Sequence, residues 1–240
     1  RSTLFPYTTL FRSGSWFLLG MPEAEDTELR HTVHIAPVEQ ADLVIPLPSG
    51  KAHVIGLVPG QLLTEKLTLL VKTEEGRAVA DPERDILKLA VIERHHATGR
   101  IGLGLLSGYG LKRGAVASTV GHDSHNLIVA GADDADMVIA IREIQRIGGG
   151  FVIAAGGEVL ASLPLPIGGL MTSRDAHAVA QDNAYLIHTA RRLGVSDGCD
   201  PLMTLAFLSL PVIPALKLTD RGLVDVGTGK FLLVDAGEVS

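Results

Sequence analysis

The chain has 240 residues and a formal net charge of −6, and 46% of its residues are hydrophobic, which is enough to build a core. No apolar stretch approaches the roughly 18 to 20 residues that a bilayer span needs, and no basic stripe marks a nucleic-acid surface. We therefore expect neither a membrane nor a nucleic acid as partner. Cys199 is the only cysteine, which excludes an internal disulfide and fits a reducing cytoplasm.

The first residues, RSTLFPYTTLFRS, are not typical of a signal peptide, because they lack an apolar core and a small-residue cleavage site. From Thr3 to Ser13 they look like the translation of a sequencing-library adapter. We therefore leave residues 1–13 out of the fold prediction as a non-native segment. The native sequence is expected to begin near Gly14, as the carboxyl-terminal part of a longer protein.

The β-rich stretch that follows is expected to complete a sheet begun upstream. Val, Ile, Leu and Thr are frequent from residue 31 to residue 72, between prolines and glycines that separate short strands. KAHVIGLVPG and LTEKLTLLVK are the clearest two strands. The next segment, DPERDILKLAVIERHHATG, predicts a helix, because Asp81 and Pro82 form a start signal, apolar residues recur at helical spacing and Gly99 ends the run.

The remaining elements are predicted within residues 79–240. They are three strands between Arg100 and Gly131, a helix capped by Asp133, a hairpin at Gly156-Gly157, a long helix from about Asp175 to Leu193 and a shorter one from Pro201 to Leu210. Strand–helix–strand units and hairpins alternate along this segment. The sequence therefore predicts an α+β fold (layered α/β), with a mixed β-sheet packed with helices.

The stretch STVGHDSHNLIVAG places polar residues between two apolar strands. The residues around His122 and His125 favour a turn, in which the two imidazoles can converge beside Asp123. Converged imidazoles and a carboxylate could hold a divalent ion or orient a substrate amine. A purely structural hairpin tip is the alternative, because Asp, Ser, Asn and His readily hydrogen-bond their own backbone.

Two further stretches contain candidate residues. In ERHHATG, Glu93 is a candidate acid or base, whereas Arg94, His95 and His96 at the end of the predicted helix could simply complement its dipole. The glycines of GRIGLGLLSGYGLKRG do not have the spacing of a phosphate-binding loop. They are more typical of strands that approach each other closely, although Lys112 could face a ligand.

Long motifs resemble the C-terminal domain of bacterial adenine deaminase, a member of the amidohydrolase superfamily. They are LKLAVIERHHATGRIGLGLLSGYGLKRGAVASTVGHDSHNLIVAGADDADM, GGGFVIAAGGEVLASLPLPIGGLMT and DPLMTLAFLSLPVIPALKLTDRGLVDV, and the resemblance runs from about His31 to Val226. Gly121 replaces an expected alanine and Tyr109 an expected phenylalanine. Neither change alters the assignment.

The resemblance implies a hydrolase that converts adenine and water to hypoxanthine and ammonia. It also implies that residues 14–78 are a partial β-domain, the tail of the domain that flanks the barrel, and that residues 79–240 are the C-terminal domain of such an enzyme. A divalent metal, manganese or iron, would be held by a β/α barrel preceding residues 14–78, and none by this chain. The barrel's His-x-His strand motif does not occur in the sequence, so we expect the chain to be inactive alone. The implied partners are adenine, the chain's own N-terminal barrel and a second copy in a homodimer, in the cytoplasm.

The implied site residues fall into two groups. The catalytic group is His122, Asp123, His125, Asn126, Glu93 and His95, and the substrate-binding group is Arg94, Lys112 and Ser118. We expect the histidine turn to close or line the substrate site at the barrel mouth. Two alternatives remain: a non-catalytic binding or oligomerisation module, and a small metallohydrolase complete in itself.

Overall fold

The structure is a computed structural model that describes residues 27–237. The strands in this range are β1 (Lys51–Leu57), β2 (Thr64–Leu70), β3 (Thr73–Glu74), β4 (Arg77–Ala78), β5 (Ile86–Ile92), β6 (Ile101–Ser107), β7 (Ala115–Ser118), β8 (Leu127–Gly131), β9 (Gly150–Ala155), β10 (Glu158–Pro164), β11 (Leu216–Thr219), β12 (Gly222–Asp225) and β13 (Lys230–Leu232). The α-helices are α1 (Asp134–Ile147), α2 (Ala176–Arg192) and α3 (Met203–Leu208), and short 3-10 helices lie at Thr27–Leu29, Gln40–Leu43 and Pro82–Arg84.

An eight-stranded mixed sheet forms the centre of the fold, in the order β10-β9-β7-β8-β5-β6-β1-β2. Adjacent strands are antiparallel except β1 and β6, which are parallel. Strands β11, β12 and β13 form a separate antiparallel sheet. This arrangement confirms the predicted α+β class with a mixed sheet.

Both faces of the large sheet are covered. On one face, Met137, Ile141 and Ile144 of α1 pack against apolar residues of β7, β8 and β9. On the other face, α2, α3 and β11 contribute Leu186, Leu205 and other residues to a second core. Every residue of β5, β7 and β8 is consequently buried.

The predicted helix from Asp81 to Gly99 is wrong. Only residues 82–84 form a 3-10 turn, and the apolar run after them is strand β5. A strand covered on both faces is apolar at nearly every position, so its residues also satisfy helical spacing. Because no helix ends there, the helix-dipole explanation of Arg94, His95 and His96 is wrong as well.

The other elements follow local sequence signals. The side chain of Asp133 accepts a hydrogen bond from the Asp136 N–H (2.9 Å) and caps α1, and Gly148 ends that helix at φ +74°. The predicted hairpins, strands and helices after residue 100 are confirmed. Gly102 confirms the interpretation of close strand approach, because a Cβ there would lie 1.8 Å from the carbonyl oxygen of Thr219.

The predicted division into residues 14–78 and 79–240 stays a prediction. Within the described residues, β1 and β2 are hydrogen-bonded into the same sheet as the strands that follow residue 79. The adapter-like residues 1–13 lie outside the described range. In residues 27–237, no helix is both long enough and apolar enough to cross a bilayer.

Candidate functional site

The predicted site residues gather at one edge of the large sheet, where β5 and β7 end and β8 begins. Ile92 at the end of β5 pairs with Leu127 at the start of β8, and Ser118 at the end of β7 pairs with Ile128. The loop of residues 93–100 and the loop of residues 119–126 are therefore neighbours. We call the second of these the histidine loop.

The histidine loop forms the predicted turn, in which the N–H of His125 donates to the carbonyl of Gly121 (2.6 Å). The ring centroids of His122 and His125 lie 5.9 Å apart, so the two imidazoles do converge. The Asp123 side chain is 87% exposed, with one carboxylate oxygen 3.9 Å from Nδ1 of His122. His122 thus lies next to a second imidazole and near an exposed carboxylate.

Arg94 holds the histidine loop in place through its side chain. Its side chain is buried, its Nε donates to the carbonyl of His125, and its Nη2 donates to the carbonyl of Gly168 (3.1 Å). Burial lowers the pKa of Arg94 to about 10, so the guanidinium remains charged at neutral pH. These contacts support a positioning role for Arg94, and its predicted substrate-binding role stays a prediction.

Glu93 orders the neighbouring loop. Its carboxylate accepts hydrogen bonds from the N–H groups of His95 (2.6 Å), His96 (2.9 Å) and Thr98 (3.0 Å), and from the Thr98 hydroxyl (2.9 Å). Burial alone would raise the pKa of Glu93, but these bonds outweigh it and lower that pKa to about 2. An ionised, fully bonded carboxylate of this kind suits positioning better than proton transfer.

The same loop brings His95 against the histidine loop. Nε2 of His95 donates to the carbonyl of Ser124 (2.7 Å), which fixes a proton on that nitrogen because a carbonyl only accepts. The ring itself is exposed. The structure therefore places His95 beside the loop that carries His122 and His125.

Residues of α3 and the turn after it hold His122, and the sequence prediction missed them. The His122 N–H donates to the carbonyl of Ala206 (2.8 Å), and the hydroxyl of Ser209 donates to the His122 carbonyl (3.0 Å). The Phe207 ring lies 4.8 Å from the His122 ring, centroid to centroid. The signal that could have indicated them is the run PLMTLAFLSLPVIPAL, which contains no charged residue.

Two buried polar atoms of the histidine loop lack a hydrogen-bond partner among the described residues. They are Nδ1 of His125 and Oδ1 of Asn126, and Asn126 is only 4% exposed. Burial and then the charge of Arg94 lower the pKa of His125, so its imidazole is neutral at neutral pH. An unpaired buried polar atom costs roughly 1–3 kcal/mol, so a group that gave either atom a hydrogen-bond partner would stabilise the loop.

The two remaining candidates are placed differently. Ser118 is fully buried, and its hydroxyl bonds the backbone of Val120, accepting from the N–H (3.0 Å) and donating to the carbonyl (3.1 Å). Lys112 lies at the opposite edge of the sheet, where its Nζ donates to the carbonyl of Pro82 (2.6 Å). Lys112 therefore does not share a site with the histidine loop, because β6 carries the chain across the sheet before it.

The arrangement offers a neutral imidazole, two more exposed imidazoles and an exposed carboxylate. Such groups can bind an amine or a purine edge by hydrogen bonds and transfer a proton near neutral pH. Within residues 27–237, no group of three or more His, Cys, Asp or Glu side chains is placed to hold a metal ion.

Comparison with known proteins gives a consistent set of relatives. The model of the family described as adenine deaminase C-terminal domain matches residues 61–230. The chain is 52% identical over 216 residues to adenine deaminase 2 of Carboxydothermus hydrogenoformans, a match of 90% of this chain and 38% of that protein. It is 50% identical over 218 residues to an adenine deaminase of Nitratidesulfovibrio vulgaris, and this match covers 90% of this chain and 38% of that protein. It is 47% identical over 209 residues to an adenine deaminase of Lysinibacillus sphaericus, and this match covers 87% of this chain and 36% of that protein. The chain thus spans well under half the length of these curated relatives.

Proposed function

This chain belongs to the adenine deaminase C-terminal domain family, and we propose that it is the carboxyl-terminal part of an enzyme that hydrolyses adenine to hypoxanthine and ammonia. The names of relatives about 50% identical to it support this function. Most of each relative's length lies outside the match. The activity is therefore proposed for a longer protein, in which the chain is an accessory that is inert alone.

The proposed role of the chain is to complete the adenine site with the histidine loop. The observation that carries it is the pair of unpartnered buried atoms, His125 Nδ1 and Asn126 Oδ1, in a loop that Arg94 holds fixed. A loop that served only as a polar hairpin tip would satisfy its buried polar atoms internally. Unpaired atoms in a supported loop suit a site that a ligand or a second surface completes.

The chemistry of deamination suits the residues present. Water adds to C6 of the purine, a proton moves to the exocyclic nitrogen, and ammonia leaves. His125, held neutral by burial and by Arg94, can accept a proton, and the half-exposed His122 can hydrogen-bond the purine. Glu93 and Arg94 keep both loops in place while the bonds change.

The resemblance implies a divalent metal, manganese or iron, in the preceding barrel, where it would activate the water. The residues of this chain would contribute hydrogen bonds, a proton acceptor and support of the loops beside that barrel. The same barrel would be the partner of the histidine loop. The homodimer and the cytoplasmic location stay predictions.

The test uses the full-length enzyme that contains this domain. His125→Ala and His122→Ala are expected to lower kcat by at least about a hundredfold, because each removes a proton-transfer or binding group, with the melting temperature unchanged. His188→Ala, which changes an exposed histidine on α2, is the matched control and should leave kcat at the parent value.

If both loop variants kept kcat within a fewfold of the parent, the loop would be only a hairpin tip, and the non-catalytic alternative would be correct. If the purified chain alone contained stoichiometric metal and deaminated adenine, it would be a complete metallohydrolase. Either result would contradict the proposed role of an accessory.

A further inference from the structure

Helix α3 and the segments beside it expose apolar side chains that the fold does not use. From Pro201 to Leu216 the sequence has no charged residue and no histidine, and one side of this run, with Leu205 and Leu208, is buried in the core. On the outer side, Met203 is 49% and Val212 is 71% exposed. Leu62 and Leu63, in the loop before β2, are 46% and 45% exposed. We call Leu62, Leu63, Met203, Phe207 and Val212 the apolar strip.

The strip is continuous and ends at the candidate site. Leu62 lines one depression with Met203 and a second, smaller one with Phe207. The segment that carries Val212 is fixed beside β2, because the Thr64 N–H donates to the carbonyl of Pro214 (3.0 Å). At its other end, the ring of Phe207 packs on that of His122. A body that covers the strip therefore also approaches the histidine loop.

The composition of the strip indicates a permanent contact. Single exposed apolar residues are ordinary on a protein surface, whereas contiguous ones mark an interaction surface. Interfaces between parts that never separate are more apolar and poorer in charge than those between transient partners. The strip itself consists of leucine, methionine, phenylalanine and valine, while Arg191, Asp197 and Asp200 line the depression between Leu62 and Met203. An apolar centre with charged side chains at its rim matches the permanent class.

We propose that the apolar strip is the surface on which the amino-terminal part of the same enzyme docks. This inference rests on the proposed function and deepens it, because it names the surface that joins the two parts of the site. The chain accounts for 38% of the length of its relatives, so a large body is available within the same polypeptide. Because Phe207 of the strip packs on His122 of the histidine loop, a body that completes the adenine site at this loop lies next to the strip.

The proposal is tested by thiol labelling of the full-length enzyme. Val212→Cys places a thiol on the strip, and Leu70→Cys places one at a position of equal exposure, 71% against 69%, at the far end of β2. Each variant is treated with N-ethylmaleimide, native and in urea, and the labelling of the peptide that contains the new cysteine is followed by mass spectrometry. The melting temperature of each variant confirms that it is folded.

The native enzyme should label Val212→Cys at least about tenfold more slowly than the urea-unfolded enzyme, and Leu70→Cys at nearly the unfolded rate. Met203→Cys, at the other end of the strip, should be protected like Val212→Cys. Equal labelling of Val212→Cys and Leu70→Cys in the native enzyme would overturn the proposal. The proposal would also be wrong if the protection disappeared on dilution while the molecular mass of the enzyme fell by half. A second copy of the enzyme would then be the body that covers the strip.

Labelling reports burial and does not depend on turnover, so the two proposals can fail separately. If the strip were protected while the His122→Ala and His125→Ala enzymes stayed active, the docking surface would be supported and the proposed role of the histidine loop would be wrong. Loss of turnover in the histidine variants with an unprotected strip would do the reverse.

Discussion

Replacing Glu93 by Gln tests whether this carboxylate is a structural anion. Its pKa falls from 4.5 in the unfolded chain to about 2 in the folded one, so the unfolded state binds the proton more tightly. The stabilisation is therefore complete above about pH 4.5 and is lost as the pH falls towards about 2. A shift of this size corresponds to about 3 kcal/mol, of which about 2 kcal/mol is lost between about pH 7 and about pH 3.

The measurement is the free energy of unfolding of the chain in urea at these two pH values. Glu93→Gln should be less stable than the parent at about pH 7, and the difference should shrink by about 2 kcal/mol at about pH 3 because the amide does not titrate. Glu39→Gln is the control, since Glu39 is an exposed residue paired with Arg142 and should give a small, nearly constant difference. A difference for Glu93→Gln that did not change with pH would refute the reasoning.

Three further variants test buried groups by urea unfolding. Arg94→Ala should lower the free energy of unfolding by about 3 kcal/mol, because a buried side chain and its two hydrogen bonds to part-buried carbonyls are lost. Arg100→Ala, at a surface ion pair, should lower it by less than about 1 kcal/mol. Gly169→Ala should lower the free energy of unfolding more than Gly76→Ala does. Both glycines have φ near +70°, but only a Cβ at residue 169 would meet a guanidinium nitrogen of Arg94, at 2.6 Å. Burial lowers the pKa of Lys217 to about 8, so the parent should gain stability between about pH 8 and about pH 10.5, a gain that Lys217→Met should lack.

Most of the fold was predictable because its signals are local. The cap at Asp133 and the Gly156-Gly157 hairpin each depend on a few consecutive residues. Strand β5 was not predictable in this way. Its partners are β6 and β8, and only the layers on both of its faces make an entirely apolar strand stable there.

The candidate site was predictable only in part, for the same reason. The turn residues around His122 and His125 predicted their convergence, which the structure confirms. The carbonyl of Gly168, which accepts from Arg94, lies 74 residues further along the chain, and no local pattern indicates that pairing. The resemblance implied Lys112 as a substrate-binding residue, whereas the direction of β6 places it at the opposite edge of the sheet.

Glu93 and Arg94 are adjacent buried charges that serve different loops. Glu93 bonds the N–H groups of its own loop, while Arg94 reaches carbonyls of the histidine loop and of residue 168. Both side chains bond mainly backbone groups. Each buried charge therefore fixes a loop, and the two do not form an ion pair with each other. On the other side of the loop, Phe207 of the apolar strip packs on His122. Arg94 therefore fixes the histidine loop from the side of the sheet, and Phe207 packs on His122 from the side of α3. A body that covered the strip would contact α3, the helix that positions His122. Docking of the amino-terminal part and placement of the imidazole would then be one event.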